Sequence, residues 1–370
     1  MHETDEKAER LARLALREGV GGILVNTQPN FAWLTGGRSN RIDGSRETGN
    51  GSLFVTATGD RYVIANNIEM PRLHEEALCG LGFTPVEYRW TAEQADPSTP
   101  IEAARQAVGN GCAIGCDGAL SGGKPIDAGI AAARALLTEA EVQRYRALGR
   151  DVGGAVGEAC RALTPGLDEC EVAQRVKATV EGTGARAVVA LVAADDRVAR
   201  FRHPAPNGAR WERTLLVAIC AQRDGLVVAL SRIVSAGPPE ATLVSRTEAT
   251  GAVFERLVSE TRPLTTGHQL FAIAAQAYCD VGFPGEEARH HQGGAIGYRS
   301  REWVAHPSSR EVVQAQQAFA WNPSITGSKV EDTILLTGDD VELITTSPGW
   351  PSLPIDAHGR TLSAANVLVL

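Results

Sequence analysis

Four short phrases in the second half of this 370-residue sequence carry side chains suited to moving a proton at a carbonyl group. His203 lies in FRHPAP, His290 and His291 open HHQGGAIGY, Asn322 lies in WNPSIT and Glu331 lies in KVEDTILL. An imidazole accepts and returns a proton near neutral pH, and a carboxylate orients it, holds a substrate ammonium or acts as the base itself. An amide NH2 stabilises a developing oxyanion. This set suits cleavage of an amide or another C–N bond.

Two of these phrases point to function more strongly than the others. Glycines beside His290 and His291 permit close approach of the backbone, and Glu331 in an apolar strand needs a polar partner if it is buried. His203 also fits an ordinary surface loop, and Asn322 before a proline also fits a strand end. The sequence leaves those alternatives open.

Arginines offer a way to hold a substrate carboxylate. A guanidinium makes two parallel hydrogen bonds to a carboxylate, which suits Arg232 and the cluster of Arg38, Arg41 and Arg46 to substrate binding. The three clustered arginines also fit solvated loop charges.

The elements that position these residues form two groups along the chain. Residues 4–18 have helical periodicity and lead into the apolar segment GGILV, and residues 52–67 read as two strands about a turn at Thr58-Gly59-Asp60. LHEEALCGLGF reads as a further helix, so the first part is a mixed α/β domain. Two long helices, at 141–156 and 169–185, then precede several apolar strands, which predicts an α+β arrangement on a curved antiparallel sheet.

Six phrases in order make the chain similar to the pita-bread fold family of creatinase, prolidase and aminopeptidase P. They are NFAWLTGG, LTEAEVQRYRALG, LTPGLDECEVAQ, His203 with Pro206, HHQGGAIGY and KVEDTILLTG. The resemblance implies a smaller creatinase-type N-terminal α/β domain at 1–130, a pita-bread catalytic domain at 131–350 and a C-terminal extension at 351–370. It also implies a homodimer in which the loop around Arg38 to Arg46 approaches the pocket of the neighbouring copy.

The family's catalytic half holds two metal ions with two Asp, one His and two Glu, and this sequence departs from that set. Gly225 and Arg232 fix the frame for the two Asp positions, which fall at Ala229 and Ala218. Neither alanine side chain has an atom that can bind a metal ion. In this frame the sequence predicts no metal cofactor, because the bridging carboxylates are missing.

The remaining family positions fall on residues that can act without a metal. The resemblance places the histidine ligand at His291, with His290 as the alternative if the register slips by one. The family's Glu-Pro becomes Asn322-Pro323, and its last Glu is Glu331. Asp332 follows Glu331 on a strand and is expected to point to the opposite face.

The interpretation is a metal-independent, creatinase-like hydrolase that cleaves a C–N or amide bond in a small, carboxylate-bearing, possibly proline-like substrate. In it His203, His291, Glu331 and Asn322 are catalytic, while the four arginines and His290 bind substrate. A non-catalytic pita-bread binding protein and an Xaa-Pro-type metallopeptidase with a rearranged metal site are the alternatives.

The composition of the chain limits the classes of binding partner and the cellular location that we expect. The formal charge is -8, and Lys and Arg form no stripe or tail of the kind that nucleic acid or an anionic membrane requires. Seven cysteines without paired CxxC clusters indicate neither a disulfide framework nor a structural zinc site. The polar start and the lack of a long apolar run predict a cytoplasmic protein whose partners are a small-molecule substrate and a second copy of itself.

Overall fold

The computed structural model describes residues 3–109, 111–118 and 120–370. The chain forms two compact units whose boundary in sequence falls between Thr138 and Glu139. Among the described residues, the helices are too short or too polar to cross a lipid bilayer.

The first unit is a mixed α/β structure. Its helices are Glu3–Glu18 (α1), Gln28–Leu34 (α2), Met70–Arg72 (α3), Trp90–Ala95 (α4), Thr99–Val108 (α5) and Asp127–Ala135 (α6). Its strands are Gly22–Thr27 (β1), Thr48–Thr56 (β2), Arg61–Asn66 (β3), Thr84–Tyr88 (β4), Ile114–Cys116 (β5) and Lys124–Pro125 (β6). They form one sheet in the order β4-β3-β2-β1-β5-β6, in which β1 and β2 are antiparallel and β1 and β5 parallel.

One predicted helix of this unit is much shorter than its sequence pattern indicates. LHEEALCGLGF forms only a π-helical turn, Leu73–Ala77, directly after α3. Gly80 and Gly82 have φ angles of 78° and 69°, and this left-handed conformation ends the helix.

The second unit contains four long helices among the described residues, where the sequence predicts two. They are Glu139–Arg161 (α7), Glu169–Glu181 (α8), Ala241–Glu260 (α10) and Gly267–Asp280 (α11), with the short α9 at Asp196–Arg200. The buried face of α10 includes Thr247, Thr250 and Gly251 in place of a continuous leucine stripe. The two threonine hydroxyls donate to backbone carbonyls one turn earlier. Their polar groups are therefore satisfied inside the helix, so α10 packs well without a continuous leucine stripe.

The strands of the second unit build two four-stranded sheets and two two-stranded sheets. The strands are Arg186–Ala194 (β7), Thr214–Arg223 (β8), Leu226–Ser235 (β9), Gly293–Ile296 (β10), Gln316–Trp321 (β11), Ser324–Ile325 (β12), Ser328–Lys329 (β13), Asp332–Thr337 (β14), Asp340–Leu343 (β15), Ser352–Ala357 (β16), Arg360–Ala365 (β17) and Val367–Val369 (β18). The orders of the four-stranded sheets are β18-β9-β8-β7 and β10-β11-β14-β15, and the two-stranded sheets are β12-β13 and β16-β17. A bridge between Ser231 and Glu331 links the two four-stranded sheets.

The last twenty residues take part in this unit and are not an appended extension. Strands β16 and β17 form a hairpin, and β18 pairs in parallel with β9 at the edge of the sheet. The β8–β9 hairpin turns at Asp224, which has a φ angle of 50°.

Candidate active site

A cavity of about 280 Å³ opens in the second unit where the two sheets meet. Strands β7 and β8 contribute five residues to its lining, and the polar and charged side chains come from loops and from the segment around β13. The cavity is lined by Val189, Leu191, His203, Ala218, Ile219, Cys220, His291, Ser300, Arg301, Asn322, Lys329 and Glu331. The four residues predicted to be catalytic therefore come together here.

Two polar pairs, Ser231–Glu331 and Arg232–Asp332, lie on opposite sides of the junction between the sheets. The Ser231 hydroxyl donates to the Glu331 carboxylate at 2.6 Å, and the Ser231 backbone N–H donates to the Glu331 carbonyl. The next residues along each segment, Arg232 and Asp332, form their own pair at 3.0 Å. Successive side chains of an extended segment point in opposite directions, so Glu331 faces the cavity and Asp332 faces away from it.

Glu331 is held by two cations. Lys329 Nζ lies 2.9 Å from Glu331 Oε2, and an Arg301 NH2 group donates to Oε1 at 3.2 Å. Burial alone raises the pKa of this carboxyl group, but Lys329, Arg301 and the Ser231 hydrogen bond outweigh it and lower the pKa to about 2. Glu331 is therefore ionised at neutral pH, and the buried polar partner that its sequence context requires is present.

Arg232 is a structural residue and is not available to a substrate, which corrects its predicted role. Its side chain is only 1% exposed. It donates to Asp332, to the Ser347 hydroxyl and to the backbone carbonyls of Ser231 and Thr345. Burial raises the pKa of Asp332 in spite of the neighbouring guanidinium.

Three imidazoles form a compact cluster at the cavity. His203 Nε2 and His290 Nε2 are 3.1 Å apart, and the His290 and His291 ring centroids are 4.5 Å apart. His291 lines the cavity, whereas His290 lies buried beside the other two rings and contacts Ser324 through Nδ1 at 3.2 Å. The predicted substrate-binding role of His290 is therefore not supported by its position, and His291 is the ring that faces the cavity.

All three imidazoles are biased toward the neutral form. Burial, followed by the charge of Lys329, lowers the pKa of His290 to about 2. Burial, followed by the charge of Arg301, lowers the pKa of His291 to about 4, and burial likewise lowers that of His203. The rings are therefore uncharged at neutral pH.

Asn322 is 2% exposed and occupies the position that the resemblance gives to a metal-binding glutamate. Its Oδ1 atom has no hydrogen-bond partner among the described residues, although its backbone N–H donates to the Gln292 carbonyl. A buried amide with an unused oxygen is costly unless something binds beside it.

The predicted arginine cluster lies in the first unit, between α2 and β2. Arg38, Arg41 and Arg46 all follow α2 in sequence, and Arg46 lines a separate polar cavity of about 380 Å³ in that unit. Their approach to a neighbouring copy of the chain stays a prediction.

Sequence reasoning missed Lys329 and Arg301, the two cations of the cavity. Lys329 lies two residues before Glu331, so the strand period places both side chains on one face. That signal was present in KVED. Arg301 follows HHQGGAIGY in an irregular loop, and no periodicity in the sequence indicates where its side chain points.

The fold and this site define a hydrolase-type pita-bread domain preceded by an α/β domain. The sequence profile of metallopeptidase family M24 matches residues 143–338. This chain belongs to metallopeptidase family M24.

One sequence relative and two solved structures are similar to this chain. The chain is 26% identical over 232 residues to an Xaa-Pro dipeptidase of Pyrococcus horikoshii, an alignment that covers 60% of this chain and 66% of that protein. Dipeptidase PepE from Mycobacterium ulcerans has the same fold with a TM-score of 0.78 at 18% identity, covering 99% of this chain and 98% of that one. The N-terminal domain of the FACT complex subunit SPT16 from chickpea is also similar, with a TM-score of 0.67 at 10% identity, covering 93% of this chain and 96% of that one.

The side chains do not fit the dinuclear metal centre that the family implies. Ala218 and Ala229 offer no ligand atom, and Asn322 offers a neutral amide. Glu331 already shares both carboxylate oxygens with Lys329 and Arg301. Two divalent cations need several carboxylates to neutralise and bridge them, and this cavity instead carries built-in positive charge.

Proposed function

We propose that this chain hydrolyses an amide or similar C–N bond in a small, carboxylate-bearing substrate, such as a dipeptide ending in proline, without a metal ion. The observation that carries the proposal is the pairing of Glu331 with Lys329 and Arg301 beside three neutral imidazoles. The two cations supply the positive charge that metal ions supply in other members of the family. The Xaa-Pro dipeptidase relative supports the substrate class.

Arg301 and Lys329 provide the electrostatic attraction for a substrate carboxylate. Both line the cavity, and the Arg301 Nε–H has no hydrogen-bond partner among the described residues. The three charged groups Lys329, Arg301 and Glu331 leave a net charge of about +1, which favours an anionic ligand. A bound carboxylate would in turn raise the pKa of the neighbouring imidazoles and make them stronger bases.

His291 is the best-placed general base. It lines the cavity, whereas the Nε2 atom of His203 is in contact with His290. The ring takes a proton from water as the water oxygen attacks the carbonyl carbon. It then returns the proton to the leaving nitrogen as the C–N bond breaks, which yields a carboxylic acid and an amine.

Asn322 and the cavity cations stabilise the oxyanion formed in that step. The Asn322 amide group and the positive charge of Lys329 act where charge develops on the carbonyl oxygen. Cys220 also lines the cavity, but burial, followed by the charge of Glu331, raises the pKa of its thiol to about 11. Water is therefore the nucleophile in this proposal, and the thiol is not.

The test is hydrolysis of Xaa-Pro dipeptides and amidino compounds by protein treated with a strong chelator. We expect activity that survives the chelator and falls by about a hundredfold to several thousandfold in His291→Ala and Glu331→Gln. His74→Ala, an exposed residue of the first unit, is the matched control and should keep full activity. Loss of activity with chelator, or full activity in both site variants, would reject the proposal.

A homodimer belongs to this proposal because the family resemblance places the Arg38 to Arg46 segment near a neighbouring pocket. Light scattering at micromolar concentration measures the oligomeric state. A monomer that remains active would exclude a shared site.

A further inference from the structure

The three histidines at the cavity form a ligand set that differs from the family's five metal positions. One ring nitrogen of each of His203, His290 and His291 lies within 4.8 Å of the other two. By the resemblance, only His291 occupies a family ligand position. We propose that these three imidazoles bind a single transition-metal ion of the zinc, cobalt or nickel type.

The closest pair already has the spacing of a metal site. Four ligands at about 2.0–2.1 Å in a tetrahedral arrangement place their nitrogens about 3.3 Å apart. His203 Nε2 and His290 Nε2 are 3.1 Å apart. His203 is an exposed side chain and His291 a partly exposed one, so modest rotations of these rings can bring the third nitrogen into range.

Ser324 orients the buried member of the set. Its hydroxyl lies 3.2 Å from His290 Nδ1. The tautomer that carries its proton on Nδ1 donates to this hydroxyl and leaves the Nε2 lone pair directed at His203. Metal-binding histidines commonly use their second ring nitrogen in this way.

The unused ring nitrogen of His291 is the second observation that points to a ligand. His291 Nδ1 is buried and has no hydrogen-bond partner in the part of the chain that the structure describes. A buried nitrogen without a partner is costly, and an ion or a bound group removes that cost.

The neutral imidazole nitrogens and the neighbouring charges determine which metal ions the site can bind. Three neutral imidazoles suit Zn²⁺, Co²⁺, Ni²⁺ or Cu²⁺ and do not suit Mg²⁺ or Ca²⁺, which prefer oxygen ligands. Lys329 and Arg301 repel a cation, but each is paired with Glu331, which reduces that repulsion. With three protein ligands the ion keeps an open coordination position.

The experiment is titration of the chelator-treated, full-length protein with Co²⁺ and with Zn²⁺ in the absence of substrate. Visible absorption of tetrahedral Co²⁺ and calorimetry for Zn²⁺ report the number of ions and their affinity. We expect one equivalent per chain. His203→Gln should lower the affinity by more than about a hundredfold, because even loss of an outer-shell partner lowers metal affinity about ten- to a hundredfold.

Four variants make the result decisive. His203→Gln changes an exposed side chain, so its fold should survive even if His290→Gln is unstable. His74→Gln is the control and should bind as the unaltered protein does. Absence of binding, binding unaffected by His203→Gln, or two equivalents that Glu331→Gln removes would each overturn the inference. The titration uses no substrate, so it can fail while the proposed hydrolysis stands, and the reverse also holds.

Discussion

Lys329 Nζ lies 2.9 Å from the Glu331 carboxylate, and both side chains are almost completely buried. A buried carboxylate with a neighbouring ammonium is neutralised without any metal ion. This buried ion pair leads to the first prediction.

Breaking the Lys329–Glu331 pair should destabilise the fold. Lys329→Met leaves Glu331 with Arg301 as its remaining cation, and the loss should be roughly 3 kcal/mol in the free energy of unfolding. Urea denaturation measures it. Arg256→Met, which removes an exposed ion pair with Glu260 at 3.8 Å, is the control and should change stability by less than about 1 kcal/mol. Equal effects of the two variants would contradict the buried pairing.

Replacement by methionine should affect stability at Arg232 and substrate binding at Arg301. Arg232→Met breaks a fully buried pair and should lower the free energy of unfolding by roughly 3–5 kcal/mol. Arg301→Met removes a cavity cation and should raise KM for a carboxylate-bearing substrate by about tenfold or more. Denaturation and steady-state kinetics distinguish the two roles. A normal KM in Arg301→Met would rule it out as the carboxylate-binding group.

The buried His290 should make the fold sensitive to acid. Its pKa in the folded protein, about 2, lies below that of an unfolded histidine, about 6.5, so only the unfolded chain takes up a proton between these values. The stabilisation is complete above about pH 6.5 and falls as the pH drops toward about 2. At about pH 5 the loss should be about 2 kcal/mol.

His290→Gln tests this sensitivity. The variant should lose less stability than the unaltered protein between about pH 7 and pH 5, whatever its stability at neutral pH. Urea denaturation at both pH values gives the comparison. An unchanged pH dependence would show that His290 is not buried in the neutral form.

Added zinc should inhibit the proposed hydrolysis. The ion and the general base use lone pairs of the same histidine cluster, so an occupied site cannot accept a proton from water. Inhibition should follow the occupancy measured by calorimetry and should weaken in His290→Gln. Activation by zinc would contradict metal-independent hydrolysis.

The sequence alone determined the family and the two-part architecture, and it predicts that the metal-bridging carboxylates are missing. Ordered phrases such as HHQGGAIGY and KVED, and the strand period that separates Glu331 from Asp332, depend only on local spacing. For the same reason the sequence alone predicts that the site contains His203, His291, Asn322 and Glu331.

Only the tertiary structure decided what surrounds these residues. Arg232 pairs with Asp332 because two strands from distant parts of the chain lie side by side, and Arg301 reaches Glu331 from an irregular loop. The contact between His203 and His290 joins residues 87 positions apart. The local spacing of residues does not predict such long-range contacts. These contacts determine the charge and the chemistry of the site.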